Sequence, residues 1–324
     1  MSAALCQPAK LAPAPLRLIP VLPRRGVACS AVRRGPQEGS EPRDLGRRIS
    51  DDFAYLKESY SPPKYPIILA HGLLGFTRLS LLSLPLPYTY FAGISPALTS
   101  HSIPHTTTSV PPTSSIPSRA SHLASQIAAS YSSTPVNIVA HSMGGLDARY
   151  MLSCLKREDV RVKSLVTIGT PHRGSAVADR VLGSLGGTDR LGRVLEPLGL
   201  EADGLAQLTR EHMTADFNPS TPDVPGVQYF SYGAAMDRPG LFSPFRRSHA
   251  LLTEKEGEND GLVSVDSSKW GRYMGTLIGV SHLDLINWSN DVIWTVKGWM
   301  GIERRFNAVA FYLGIADMLA KEGL

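Results

Sequence analysis

Apolar positions in this chain fall into short runs separated by stretches of helical spacing. Tyr65-Pro66-Ile67-Ile68-Leu69-Ala70 is apolar on both faces, the pattern of a central parallel strand covered on each side, and it ends in His71-Gly72-Leu73-Leu74-Gly75-Phe76. Ala120 to Tyr131 has helical spacing at Leu123, Ile127 and Ala128 and feeds a second strand at Val136 to Val139. Val162 to Ile168 and Gly226 to Gly233 give further strands. Between them, Ala176 to Asp216 is a helical insertion of short amphipathic helices broken by glycines. Asn259 to Ser268 is a glycine turn followed by strand-like alternation, and Gly279 to Trp288 is a loop entering a helix. From Asp291 the pattern is helical, with Phe306, Val309, Ala310, Leu313 and Ile315 near one core-docking stripe. Leu45 to Ser59 predicts a short helix, and Ser61-Pro62-Pro63 marks where the domain proper starts. Thr99 to Ser118, rich in Ser, Thr and Pro, reads as loop with a weak strand at Ile103 to Val110. Strands alternating with helices predict an α/β fold with a doubly wound, mostly parallel sheet.

Charge changes this picture at one end only. The formal net charge of +5 disappears once residues 1 to 50 are set aside, because they carry nine Lys/Arg against three acids. The rest is close to neutral, which argues against nucleic acid as a partner. The basic segment has no acid before Glu38 and is broken by prolines and arginines, so it resembles an organelle presequence rather than a secretory signal, and a mitochondrial location is expected. Residues 1–50 are therefore expected to be a targeting or disordered segment and 60–324 the catalytic domain, with the insertion at about 176–216. No stretch has the eighteen or so uninterrupted apolar residues of a membrane span. Of three cysteines, Cys6 and Cys29 lie in the basic segment, which leaves Cys154 alone in the body.

The chemistry centres on Val136 to Tyr150, VNIVAHSMGGLDARY. A strand runs into Ala140-His141-Ser142-Met143-Gly144-Gly145, and helical periodicity follows. A serine can sit on so sharp a turn only if the residues two before and two after are small, as Ala140 and Gly144 are. Its hydroxyl needs a base, and the base needs a carboxylate to fix its tautomer. In open parallel sheets the order is serine, acid, histidine, which leaves His172, His212, His249 and His282 of the nine histidines. His172 precedes any acid loop and is given a structural role, and the side chain of His141 is expected to project elsewhere. His282, late and in a loop, suits the base. Asp260, in the turn Asn259-Asp260-Gly261, suits the acid better than Asp266, Asp237 or Asp284. An oxyanion would be met by the backbone N–H of Met143 and, from the loop after the first central strand, that of Leu73.

These blocks together, YPIILAHGLLGF, VNIVAHSMGGLDARYM, VTIGTPHRGSAVAD, ENDGLVSVDSSKWG and SHLDLINW, resemble the α/β-hydrolase lipases, in particular fungal mitochondrial triacylglycerol lipases and bacterial true lipases. The resemblance covers about Tyr65 to Trp299. It implies ester hydrolysis of glycerolipids at a lipid–water or membrane surface, with Ser142, Asp260 and His282 as triad, Leu73 and Met143 as oxyanion donors, and the insertion as a mobile lid. Two features depart from it. Asp266 stands where the bacterial relatives have a disulfide cysteine. Their structural calcium would here involve Asp284 and Asp237, weak candidates, so no metal, cofactor or protein partner is expected. Acyl transfer to an alcohol, phospholipase or small-ester esterase activity, and a non-catalytic binding role on the same fold are the alternatives.

Overall fold

The computed structural model describes residues 45–75, 90–195, 201–288 and 306–324, all within one unit, Arg43–Leu324. The basic segment up to residue 44, Phe76, Leu198 and the helical pattern from Asp291 to Arg305 lie outside the described residues. Among the described residues seven strands form one sheet: β1 (Arg48–Ile49), β2 (Ile67–Ala70), β3 (His105–Thr107), β4 (Pro135–His141), β5 (Arg161–Ile168), β6 (Gln228–Ala235) and β7 (Arg272–Ile278). The order across the sheet is β1-β7-β6-β5-β4-β2-β3, and every pairing is parallel. The fold is that of an α/β-hydrolase.

Among the described residues the α-helices are α1 (Ile94–Ser100), α2 (Ile116–Tyr131), α3 (Gly144–Tyr150), α4 (Ala176–Leu185), α5 (Thr188–Leu195), α6 (Asp203–Ala206), the single turn α7 (Asn218–Ser220), α8 (Arg246–Lys255), the short α9 (Val265–Ser268) and α10 (Ala308–Lys321). No described helix is long and apolar enough to cross a membrane.

Side chains alternate across the sheet, so each central strand feeds two cores. Ile67, Leu69, Val139, Val166 and Ile168 join Phe311, Leu313 and Ile315 of α10 on one face, so the terminal stripe docks on the core. Ile68, Ala70, Ile138, Ala140 and Leu165 meet Ala120, Leu123, Ala124 and Ile127 of α2 on the other. Strand order reverses between β2 and β4, whose ends lie level, Ala70 opposite Ala140. That reversal opens a crevice beyond their carboxyl ends, the usual place for a ligand in such sheets.

Three local expectations are corrected. Leu45 to Ser59 is not helical: it holds β1, which pairs with β7 through Arg48 and Thr276, followed by turns, so the folded body starts before Ser61. Tertiary pairing overrides a weak helical pattern there. The alternation after Asn259 is not a strand either. Ser264 caps α9, its hydroxyl accepting from Ser267 N–H at 3.2 Å, and the chain turns helically through Asp266. The third, the side chain of His141, belongs to the site.

Candidate active site

β4 delivers Ser142 into a backbone conformation that only a surrounding framework can hold. Its φ is 55°, in the left-handed region, which costs a non-glycine residue about 1–2 kcal/mol. The Ser142 N–H donates to the Ile168 carbonyl at 2.9 Å, and its own carbonyl accepts from Thr170 Oγ1 at 2.7 Å and Gly145 N–H at 3.1 Å. Gly144 must be glycine, because a Cβ there would sit 2.7 Å from the His71 carbonyl oxygen and 2.8 Å from that of Ala70. A Cβ on Gly72 would likewise lie 2.7 Å from Cβ of Ser142. The end of β2 and the elbow after β4 can touch because Gly72 leaves room for the Ser142 side chain and Gly144 for the backbone of β2. Ala140 is fully buried, its methyl part of the core under α2 and α3.

Asp260 and His282 meet as the sequence order requires. His282 Nδ1 donates to Asp260 Oδ2 at 2.6 Å, and the His282 N–H donates to the Asp260 carbonyl at 2.9 Å. The other carboxylate oxygen accepts from Leu262 N–H at 2.9 Å and Val263 N–H at 2.7 Å. Asn259 shapes the turn, accepting from Gly261 N–H at 3.0 Å and donating to the Gly257 carbonyl at 2.8 Å. Both members of the pair are almost fully buried, and the bond at Nδ1 leaves Nε2 free to take a proton.

Leu73 lines the same cavity as Ser142, and Met143 follows Ser142 in the chain. In the loop after β2 the N–H groups of Gly72, Leu74 and Gly75 donate to the Tyr90 hydroxyl, the Pro112 carbonyl and the Gly72 carbonyl respectively. Among the described residues the N–H groups of Leu73 and Met143 have no such acceptor. The loop is clamped from behind. Arg119 of α2, fully buried, donates from Nη2 to the His71 carbonyl at 2.9 Å and pairs with Asp147 of α3 at 2.8 Å. His71 accepts Val110 N–H at Nε2 (3.0 Å) and donates from Nδ1 to the Gly72 carbonyl (2.9 Å), which requires a neutral ring. Burial lowers its pKa to about 4.

His141 does not turn away from the site, contrary to expectation. Its ring lies 4.5 Å from that of His282, centroid to centroid, and its Nδ1 accepts the Tyr90 hydroxyl proton at 2.7 Å. Tyr90 can donate there because its oxygen already accepts from Gly72 N–H at 3.0 Å. Nε2 of His141 is buried and has no hydrogen-bond partner among the described residues. Burial, then the nearby charge of His282, hold the His141 pKa well below its ordinary value. Burial pushes the Tyr90 phenol well up, so it stays a donor.

Of the remaining candidates, His172 is buried away from the reacting groups. It bonds Thr167 Oγ1 at 3.0 Å and stacks on Trp270, with Arg149 also over the indole at 3.5 Å. Asp266 sits on α9 and pairs with Lys269 at 3.0 Å. No third acid or histidine joins the weak calcium candidates Asp284 and Asp237 among the described residues. Asp284 Oδ2 already accepts from the Ser281 N–H (3.0 Å) and hydroxyl (2.6 Å). Among the described residues no three His, Cys, Asp or Glu converge, whereas calcium takes six to eight oxygens.

Ser142, His141 and His282 line one cavity of about 330 Å³, and its other walls are almost wholly apolar. Leu262, Val263, Leu283 and Ile286 line it, together with Val177 and Ala178 of α4 and Leu205 and Leu208 from the same 176–216 stretch. The volume falls in the range of small-molecule sites.

Sequence reasoning missed Tyr90, Arg119 and Asp147. Arg119 did leave a signal: it is a charge one turn before Leu123 on the apolar stripe of α2. Tyr90 left none, lying 51 residues from His141 in a segment without periodicity.

Residues 121–188 match the PGAP1-like alpha/beta domain family. The chain is 33% identical over 323 aligned residues to triacylglycerol lipase 2 of Saccharomyces cerevisiae, covering 84% of this chain and 96% of that protein. It is 30% identical over 308 residues to a triacylglycerol lipase of Vibrio cholerae, covering 84% and 92%. Among solved structures, Staphylococcus hyicus lipase superimposes with a TM-score of 0.61 at 18% identity, covering 82% of this chain and 98% of that one. The mature Bacillus licheniformis lipase BlEst2 gives 0.55 at 21%, covering 78% and 96%. At those identities the structural likeness carries the fold alone.

Proposed function

The chain belongs to the triacylglycerol lipase family of α/β-hydrolases and is a carboxylic ester hydrolase, and from that premise we propose that it hydrolyses fatty-acyl esters of tri- or diacylglycerol through an acyl-enzyme on Ser142. The observation that carries this reading is the buried Asp260–His282 pair at the same apolar cavity as a serine held at a φ of 55°.

The steps follow from those groups. Ser142 Oγ attacks the ester carbonyl carbon while His282 Nε2 takes its proton, and Asp260 stabilises the imidazolium. The developing oxyanion is met by the N–H groups of Leu73 and Met143, an arrangement worth a few kcal/mol in comparable sites. Collapse of the tetrahedral intermediate breaks the bond to the glycerol oxygen, which leaves with the proton from His282. Water, deprotonated by His282, then attacks the acyl carbon, and the resulting intermediate collapses with cleavage of the bond to Ser142 Oγ, which takes the proton back from His282 as the fatty acid leaves. The apolar walls suit an acyl chain, and Val177, Ala178, Leu205 and Leu208 support the insertion as a lid that must shift for a triglyceride to enter. The acid-free, arginine-bearing start of the chain supports mitochondrial import.

Ser142→Ala tests the reading. It is expected to remove both hydrolysis of long-chain acylglycerol and covalent labelling by a fluorophosphonate; a variant that keeps either contradicts the nucleophile. Products formed with an added alcohol acceptor separate hydrolysis from acyl transfer. A fusion of residues 1–50 to a fluorescent protein is expected to localise to mitochondria, and a diffuse signal contradicts the address.

A further inference from the structure

The loop leaving β6 carries an apolar tip that the fold does not use. Phe242 is 100% exposed and Leu241 73%, side by side. The base of the same loop is fixed. Pro239 is buried, and the Met236 N–H donates to the Asn259 carbonyl at 2.9 Å. Phe245 packs on the acid turn, where a Cβ on Gly261 would meet its ring at 2.8 Å. Between them the chain reverses through Ser243 N–H donating to the Gly240 carbonyl at 3.2 Å. The two apolar side chains are thus held out by a framed turn. A large apolar pair in water contributes nothing to the folded chain and gains only on meeting an apolar phase.

The surroundings of the tip define that phase. Arg238, Arg246 and Arg247 are exposed, and among the described residues none of them has an ion-pair partner. Asp237 is the sole acid between Met236 and Thr253. Aromatic and aliphatic tips ringed by arginines suit the boundary between anionic headgroups and acyl chains. The position fits as well. The loop follows the carboxyl end of β6, the same edge of the sheet that carries Ser142 at the end of β4. Leu262 and Val263, next to Gly261, line the cavity, and Leu74 and Trp288 expose apolar surface at that cavity.

We propose that the Leu241–Phe242 loop is a lipid-surface anchor: its tip enters an anionic phospholipid layer, Arg238, Arg246 and Arg247 engage the headgroup phosphates, and the cavity is thereby held at the surface that supplies its substrate. The proposal rests on the glycerolipid reading above for its purpose, though not for its measurement.

Co-sedimentation of the full chain with vesicles tests it, using phosphatidylcholine alone and phosphatidylcholine mixed with phosphatidylglycerol. The unaltered chain is expected to prefer the mixed vesicles and to lose that preference as salt rises. L241S/F242S is expected to bind both vesicle types roughly tenfold or more weakly. R238Q/R246Q/R247Q is expected to lose the anionic preference, by about fivefold for each arginine. Both variants should keep the rate on a dissolved short-chain ester, which also shows that they fold. Unchanged vesicle binding in both variants overturns the anchor. So does a dimer that becomes monomeric in L241S/F242S with vesicle binding intact, which assigns the tip to a second copy. A chain that binds vesicles as described but hydrolyses no ester refutes the proposed chemistry and supports the anchor.

Discussion

The floor and the cover of the cavity are built on opposite principles. The floor, the ends of β2 and β4 with the elbow, is tightly constrained: a positive-φ serine, glycines with no room for a methyl, a buried ion pair and two neutral histidines, His71 and His141, meet there. The cover, α4 to α6, is short-helical, and Gly183, Gly187 and Gly192 within it would meet nothing if given a Cβ. The same residue type does different work in the two places. In the floor glycine permits contact, as does Gly204 of α6, where a Cβ would lie 2.6 Å from the Thr113 carbonyl oxygen, whereas Gly183 of α4 and Gly192 of α5 face open space. Catalysis needs the first kind of rigidity, and entry of a large ester is helped by the second.

The sharpest way to break the floor chemically is Asp260→Asn, which keeps the shape of the turn but loses the carboxylate that fixes His282. A fall of about 10⁴ in kcat with folding unchanged is expected; a fall below tenfold would move the acid elsewhere. The next effect is structural. Arg119→Leu leaves the Asp147 carboxylate buried and unpaired and should cost about 3–5 kcal/mol in denaturant unfolding. Replacing both partners by apolar residues should recover most of it, and a double variant as unstable as the single would contradict the account.

Acid probes the same region. Burial lowers the pKa of His71 to about 4 and holds His141 and His172 well below the ordinary value near 6.5. The unfolded chain therefore binds more protons below pH 6.5, and stability contributed by these neutral rings is full above that value and lost as pH falls toward 4. Each should contribute a slope of up to about 1.4 kcal/mol per pH unit in that window. Unfolding free energies that stay flat between pH 6.5 and 4.5 would contradict buried neutral histidines.

The smallest effects compare the two regions directly. Gly144→Ala should destabilise by about 1–3 kcal/mol, because the methyl meets two carbonyl oxygens. Gly183→Ala, in open space within α4, should stabilise by about 0.4–1 kcal/mol. Equal signs for the two in thermal unfolding would erase the distinction between floor and cover.

What the sequence made legible follows the same division. The central strands, the elbow and the pairing of Asp260 with His282 were readable because each leaves a local trace: an apolar run, a turn signature or a position along the chain. The edge strand β1, the helix α8 and the strand β7 were not, since β1 is two residues long, α8 is largely polar and RYMGTLI has no clean alternation. Contacts that close the floor were also illegible. Tyr90 reaches His141 across 51 residues and Arg119 reaches His71 across 48, and nothing in the periodicity records such distances. His141 itself was misjudged because adjacency to Ser142 suggested that its side chain leaves the site, whereas its ring packs beside His282.

The central claim is that Ser142 carries the acyl group, and trapping the intermediate tests it most directly. Acid quench of the full chain during turnover of emulsified triolein, followed by peptide mass mapping, is expected to show an oleoyl adduct on Ser142 that disappears in Ser142→Ala. Turnover with no adduct on the peptide containing Ser142, or an adduct on another residue, would contradict the account.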